Sequence, residues 1–340
     1  MRVLVTGHQG YLGTVMVPRL IEAGHEVVGL DSGLFAECVL GAAPQDPPGL
    51  RVDLRDVRAE QLAGFDAVIH LAALSNDPLG ALVPQVTHDI NHHASVRLAV
   101  LAKAAGVRRF LYASTCSVYG AAGDAPVSES APLRPLTPYA ESKVRVEDDV
   151  AALADDGFSP VFLRNATAFG FSPRLRADIV LNNLVGYAVL TDEVRVLSDG
   201  TPWRPLVHAV DIADAFATCL VAPIDAIHCR AYNIGTEANN LTVAQIAAAV
   251  VEVVPGARLV ITGEHGADPR SYRVDFSAAR EGLGFEARIG VPEGAQELYR
   301  EYRARELTAD GFFDSFVRLS RLRVLREQGL LDDALRRVVA

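Results

Sequence analysis

The chain is 340 residues long and half of it is hydrophobic, which exceeds the roughly 250 to 300 residues at which one hydrophobic core stops growing, so two lobes are expected. With 32 basic and 42 acidic residues the formal charge is −10, which lacks the basic excess that a nucleic-acid partner demands. Lys103 and Lys143 are the only lysines among those 32 cations, so arginine is the default cation and each lysine calls for a specific reason.

Met1 runs directly into Arg2-Val3-Leu4-Val5-Thr6, with no charged, apolar and small-residue sequence of an export signal ahead of it. No apolar run approaches the ~18 residues of a membrane span. Cys38, Cys116, Cys219 and Cys229 are scattered without metal-ligand spacing or disulfide density. A cytoplasmic protein with reduced thiols, no metal and no membrane partner is expected.

In chain order, strands are expected at 2–6, 26–31, 50–53, 66–71, 108–114 and 159–164, alternating with helices at 11–23, 87–106 and 138–154. Short β-branched runs between amphipathic helices predict an α/β fold with a doubly wound parallel (Rossmann) sheet covered on both faces. Beyond residue 170 the pattern loosens, with helices at 178–190 and 242–254 and strands at 194–197, 205–210 and 257–262. A helix at 211–222 and a strand at 231–235 are expected to return to the large sheet. The expected division is a dinucleotide-binding domain over 1–170 with 211–235, a smaller interleaved substrate lobe over 171–210 and 236–310, and a helical tail over 311–340. That tail reads either as a partner-binding helix pair or as packing on the smaller lobe.

Thr6-Gly7-His8-Gln9-Gly10-Tyr11-Leu12-Gly13 follows a strand and opens a helix. Glycines at Gly7, Gly10 and Gly13 allow the backbone to approach a pyrophosphate, whose charge then sits on the helix N-terminus. Asp31 ends the second strand 24 residues after Gly7, where a carboxylate meets an adenosine ribose and repels a 2′-phosphate. The cofactor expected is therefore NAD rather than NADP. Asp53, before Leu54, stands where it can receive the adenine amino group or cap a helix. His70-Leu71-Ala72-Ala73 ends the fourth strand in small residues that leave room for the cofactor, and His70 reads as a core histidine.

The fifth strand delivers Ser114-Thr115-Cys116-Ser117-Val118-Tyr119-Gly120 at its carboxyl end, where open α/β sheets bind ligands. Thr137-Pro138-Tyr139-Ala140-Glu141-Ser142-Lys143 then opens a helix, with Tyr139 and Lys143 four apart on one face. A free phenol has a pKa near 10, and a neighbouring ammonium favours its phenolate, so Tyr139 can exchange a proton with a substrate hydroxyl that Thr115 also holds.

Together these motifs resemble the extended short-chain dehydrogenase/reductases that act on nucleotide sugars, a group of sugar epimerases, 4,6-dehydratases and 4-keto-reductases. The resemblance spans about residues 1–300 and implies Tyr139 as acid/base, Thr115 as its hydroxyl partner, Lys143 as tuner and ribose anchor, and Asn91 near the cofactor-binding core. It implies further that Asn182-Asn183-Leu184 meets the nucleotide diphosphate, that Arg204 reaches it from the loop beginning at Asp199, and that Asp268 meets the nucleotide ribose. His265 replaces an arginine common in relatives, so Arg270 or Arg273 is expected on the phosphates. Thr167 stands where an asparagine is common on the sugar side. Dehydratases of the group carry Asp-Glu where this chain has Cys116-Ser117, which weakens that assignment. Cys116 is left either in an acid/base role or as a small buried residue. With Asp31 disfavouring NADPH, the expectation is an epimerase with tightly bound NAD, a nucleotide-diphosphate sugar substrate and a homodimer, with a dehydratase, a 4-keto-sugar reductase or a non-catalytic NAD sensor as alternatives.

Overall fold

The computed structural model describes residues 1–75, 84–123, 125–264 and 270–338. Its strands are β1 Arg2–Thr6, β2 Glu26–Asp31, β3 Gly49–Arg51, β4 Ala67–His70, β5 Arg109–Thr115, β6 Ser159–Asn165, β7 Thr167–Phe169, β8 Glu193–Val196, β9 Trp203–His208, β10 Arg230–Ile234, β11 Asn240–Thr242 and β12 Arg258–Ile261. Seven of them form a parallel sheet in the order β10-β6-β5-β4-β1-β2-β3, the doubly wound architecture expected. From β1 the chain winds one way to β3, then returns and winds the other way from β4. The crevice beyond the carboxyl ends of β1 and β4 is thus the topological switch point where such sheets bind ligands.

Both faces of this sheet are covered, which is why its strands are nearly continuous apolar runs. Val3 and Val5 point into a cluster with Met16, Leu111 and Phe216. Leu4, between them, points into the opposite cluster with Leu98, Phe110 and Val146. Burying one such side chain stabilises the fold by about 1.5–3 kcal/mol. β10 pairs with β6 after the helix Ala209–Val221.

A third cluster joins Phe169, Leu184, Leu206, Val250, Leu298 and Phe312. It is built from the helices Val180–Thr191, Val243–Val253 and Val291–Ala304 with two small sheets, β11-β9-β7 and β12-β8.

Two expectations need correction. The helix expected at 87–106 is a helix Pro84–His88, a π-helical turn Asp89–His93 and a helix Ala94–Ala104. The tail is not a helix pair: after a π-helical turn at Gly311–Ser315 it has one α-helix, Arg318–Glu327, and an antiparallel bridge between Leu331 and Arg337. Phe312 and Phe316 pack in the third cluster, but Leu322, Leu325, Leu331 and Leu335 pack with Leu34, Phe35 and Leu74 beside the switch point. The tail therefore spans both bodies of the protein.

Candidate active site

Gly7 leaves β1 with φ of +75°, and a Cβ placed on it would stand 2.8 Å from the Ala72 nitrogen. A Cβ on Gly13 would collide with the Gly7 carbonyl and with His8. Only glycine lets this loop turn tightly against β4. Gly10 then caps the helix Tyr11–Glu22 without any side-chain hydrogen bond, which leaves the helix N-terminus open to an anion. Thr6 Oγ1 lies 2.6 Å from His70 Nδ1, and His70 Nε2 lies 2.8 Å from Ser95 Oγ. Burial pushes the His70 pKa down to about 3, so the imidazole is a neutral tie between β1 and β4.

The Asp31 carboxylate accepts hydrogen bonds from the backbone N–H groups of Gln9 at 3.1 Å and Gly33 at 2.8 Å, and lines the cavity. Asp53 also lines it, but its carboxylate is engaged: it caps the short 3-10 helix at Leu54 and pairs with Arg55 at 2.6 Å. The burial of Asp53 is outweighed by these bonds, which hold its pKa below the ordinary carboxylate range.

At the other end, Thr137 accepts from the Ala140 N–H and Pro138 starts the helix Pro138–Ala151. This fixes Tyr139 and Lys143 on its cavity side. Lys143 is buried; its Nζ donates to the Ala113 carbonyl at 2.7 Å and lies 4.6 Å from the Tyr112 ring centroid and 5.7 Å from that of Tyr139. Burial lowers its pKa to about 7, against the opposing pull of Glu147. Thr115 Oγ1 accepts from the Ser117 N–H and donates to Ser117 Oγ, each at 3.1 Å. Behind them Glu147 pairs with Arg164 at 2.6 Å and accepts from the Ser114 hydroxyl. Arg164 also donates to the Tyr119 hydroxyl, which donates to Asn233 at 2.7 Å.

One cavity of about 440 Å³ joins these parts. Gly7, Gly10, Tyr11, Leu12, Gly13, Leu71, Ala72 and Ala73 line it between Asp31, Asp53 and Leu54 at one end and Thr115, Ser117, Tyr139 and Lys143 towards the other. Thr167, Arg204 and Arg270 line it as well. Arg273 instead stacks on Trp203, 4.8 Å from the ring centroid, and does not line the cavity. His265 and Asp268 lie outside the described residues.

Five of the expected site residues are not in the cavity wall. Cys116 is fully buried and donates to the Arg164 carbonyl at 3.1 Å; burial drives its thiol well above the ordinary range, and it packs in the core cluster behind the cavity. Asn91 is also buried and clamps both the N–H and the C=O of Leu74, at 2.8 and 3.0 Å. Asn182 spends its amide on Gly170 and the Arg176 carbonyl, Asn183 bonds the Ala177 carbonyl, and Leu184 is in the third cluster. These residues shape the loops behind the site.

Sequence reasoning missed several wall residues. Arg176, paired with Asp178 at 2.9 Å, and Tyr272, whose hydroxyl is pushed up to about 12 by burial, line the cavity from segments remote in sequence. So do Phe35, Arg318 and Leu335. No spacing rule links such positions to the glycine loop.

Residues 3–235 match the model of the NAD dependent epimerase/dehydratase family. The UDP-glucose 4-epimerase of Mycolicibacterium smegmatis is 31% identical over 314 residues, covering 89% of this chain and 99% of that protein. That of Bacillus subtilis is 28% identical, covering 88% and 96%. Among solved structures, MoeE5 in complex with UDP-glucose and NAD superposes with a TM-score of 0.77 at 30% identity, covering 91% of this chain and all of the other. The chain belongs to the NAD dependent epimerase/dehydratase family, and NAD is accordingly its cofactor. The cavity fits it: the glycine cradle has no space for a Cβ, and the buried Asn165 Oδ1 in the cavity wall has no hydrogen-bond partner, leaving an acceptor for a bound amide or hydroxyl.

Proposed function

We propose that this protein is an epimerase acting on a nucleotide-diphosphate sugar, of the UDP-sugar type named for its relatives. The carrying observation is that Tyr139, Lys143 and Thr115 share one cavity with the glycine loop and Asp31. NAD, when bound, supplies the acceptor and donor of a hydride. Tyr139 takes the proton of the sugar hydroxyl and later returns it, and Thr115 holds the same oxygen by a hydrogen bond. Lys143, anchored on the Ala113 carbonyl beside the Tyr139 ring, favours the phenolate when protonated. Arg204 and Arg270 reach the diphosphate, since a guanidinium can hold two phosphate oxygens at once, and Thr167 faces the sugar. Gly7, Gly10, Gly13 and Asp31 hold the pyrophosphate and ribose of NAD, and Asp31 rejects a 2′-phosphate.

The burial of Cys116 outside the cavity wall supports the epimerase reading over a dehydratase that would use this thiol in place of Asp-Glu. The proposed division of labour gives residues 1–170 with 211–235 to the cofactor and residues 171–210 with 236–310 to the sugar nucleotide. Two copies of the chain associate through the helical region 87–106 and the helix at 138–154. Denaturing freshly purified protein and weighing the released nucleotides tests the reading. Near-stoichiometric NAD or NADH, with interconversion of UDP-sugar epimers by the intact protein, supports it; protein that arrives empty and binds NADPH tightly refutes it in favour of a reductase.

A further inference from the structure

Arg318 begins the helix Arg318–Glu327 and is only 4% exposed. Its guanidinium lies 4.5 Å from the Phe35 ring centroid, and its Nη2 donates to the Arg174 carbonyl at 3.2 Å. Its Nη1 is buried with no hydrogen-bond partner, although the residue lines the dinucleotide cavity. Burying a cation is costly, and here burial lowers the Arg318 pKa to about 10 against the opposing pull of Cys38 and Asp178. Nη1 is thus a donor left over for an anion that reaches this wall.

The surroundings say which anion. Arg174, under Arg318, donates at 3.1 Å to Thr14 Oγ1, and Thr14 in turn donates to the Gly10 carbonyl of the glycine loop. Arg318 is thus linked through Arg174 to the phosphate-loop side of the cavity. The chain beyond it continues along the adenosine end: Arg55 donates to the Ala334 carbonyl at 2.8 Å, Arg337 to the Gly33 carbonyl at 2.7 Å, and Arg336 pairs with Asp56 at 2.6 Å. Leu335, nearly fully buried, joins the cavity wall between them.

We propose that residues 318–337 form a clasp that retains NAD, with Arg318 donating to its diphosphate and Leu335 covering its adenosine. The clasp rests on NAD occupying this cavity. It makes cofactor retention a property of the C-terminal segment and suits a catalyst that reuses one cofactor molecule in every turnover.

Calorimetric titration of nucleotide-free, full-length protein with NAD and separately with UDP tests the clasp. Arg318→Met, which keeps the apolar stem, is expected to weaken NAD at least tenfold and leave UDP within twofold, with Arg318→Lys between parent and Met. A variant that binds NAD within twofold of the parent overturns the proposal, as does an equal loss for UDP, which assigns the guanidinium to the sugar nucleotide's diphosphate. Hydrogen exchange on the unaltered protein gives a test that no folding defect can confuse: NAD, but not UDP, should slow amide exchange across 319–330 at least tenfold. Unchanged exchange refutes the clasp. A parent protein that binds no NAD at all refutes the underlying cofactor assignment, a result distinct from either.

Discussion

In the proposed mechanism Tyr139 needs Lys143 for its charge and Thr115 for its aim, so the three are expected to fail separately. Tyr139→Phe and Lys143→Ala should each lower turnover at least a hundredfold in steady-state assays while circular dichroism stays that of the parent; near-parental turnover in Tyr139→Phe would sink the mechanism. Lys143 also leaves a thermodynamic trace. Folded, it keeps its proton only below about 7, against 10.5 for an unperturbed lysine. Between those values the unfolded chain binds the extra proton, so stability from this site rises with pH. Relative to the parent, Lys143→Met is therefore expected to lose stability as pH rises from 6 to 9 in urea titrations of nucleotide-free protein, and a constant difference would contradict the buried ammonium. Glu147 and Arg164 form a pair with side chains 6% and 7% exposed. Glu147→Gln strands a buried cation and should cost about 3–5 kcal/mol by the same measurement. The sequence was readable at these positions where chemistry depends on local spacing: Gly7 to Gly13 within one turn, Tyr139 and Lys143 on one helix face. At Cys116 it left two readings open, because only the folded backbone shows the thiol one residue from Thr115 turning into the core.

At the scale of elements, strand positions followed from apolar runs, and β1, β2 and β10 lie within a residue of their expected limits. The π-helical turn Asp89–His93 was not foreseeable from periodicity. Its widened winding coincides with Asn91, whose amide closes both hydrogen bonds of Leu74 at the cavity wall, a functional placement typical of such turns. Asn91→Ala leaves two buried backbone groups of Leu74 without partners and should destabilise the protein by about 1–3 kcal/mol, with weaker NAD binding as the loop loosens. Calorimetry on the variant checks both, and unchanged affinity would confine Asn91 to stability alone. Asn182 teaches the reverse lesson: an Asn-Asn-Leu run looked like a ligand contact, yet its first amide is consumed by Gly170 and Arg176 one loop away. Only the folded path of residues 170–182 reveals that demand.

For the whole molecule, the parallel sheet and its switch point were legible because alternating strand and helix patterns leave few topologies. The contribution of the tail was not, since contacts such as Arg55 to Ala334 join positions 279 residues apart. The proposed association of two copies through the helical region 87–106 and the helix Pro138–Ala151 would place Val100, 45% exposed, in the contact. Light scattering at working concentration should give twice the chain mass, and Val100→Glu should return the mass of one chain; a single-chain mass for the parent refutes the arrangement. Among the described residues, no helix is long and apolar enough to cross a membrane.

The scarcity of lysine has a practical consequence. In the native protein an amine-reactive reagent can reach Lys103, whose side chain is 35% exposed beside Asp155. It cannot reach Lys143, which is 3% exposed. Native acylation should therefore label Lys103 and spare Lys143, and urea should admit the second lysine, so the mass of the acylated chain reports unfolding around the helix Pro138–Ala151, one molecule at a time.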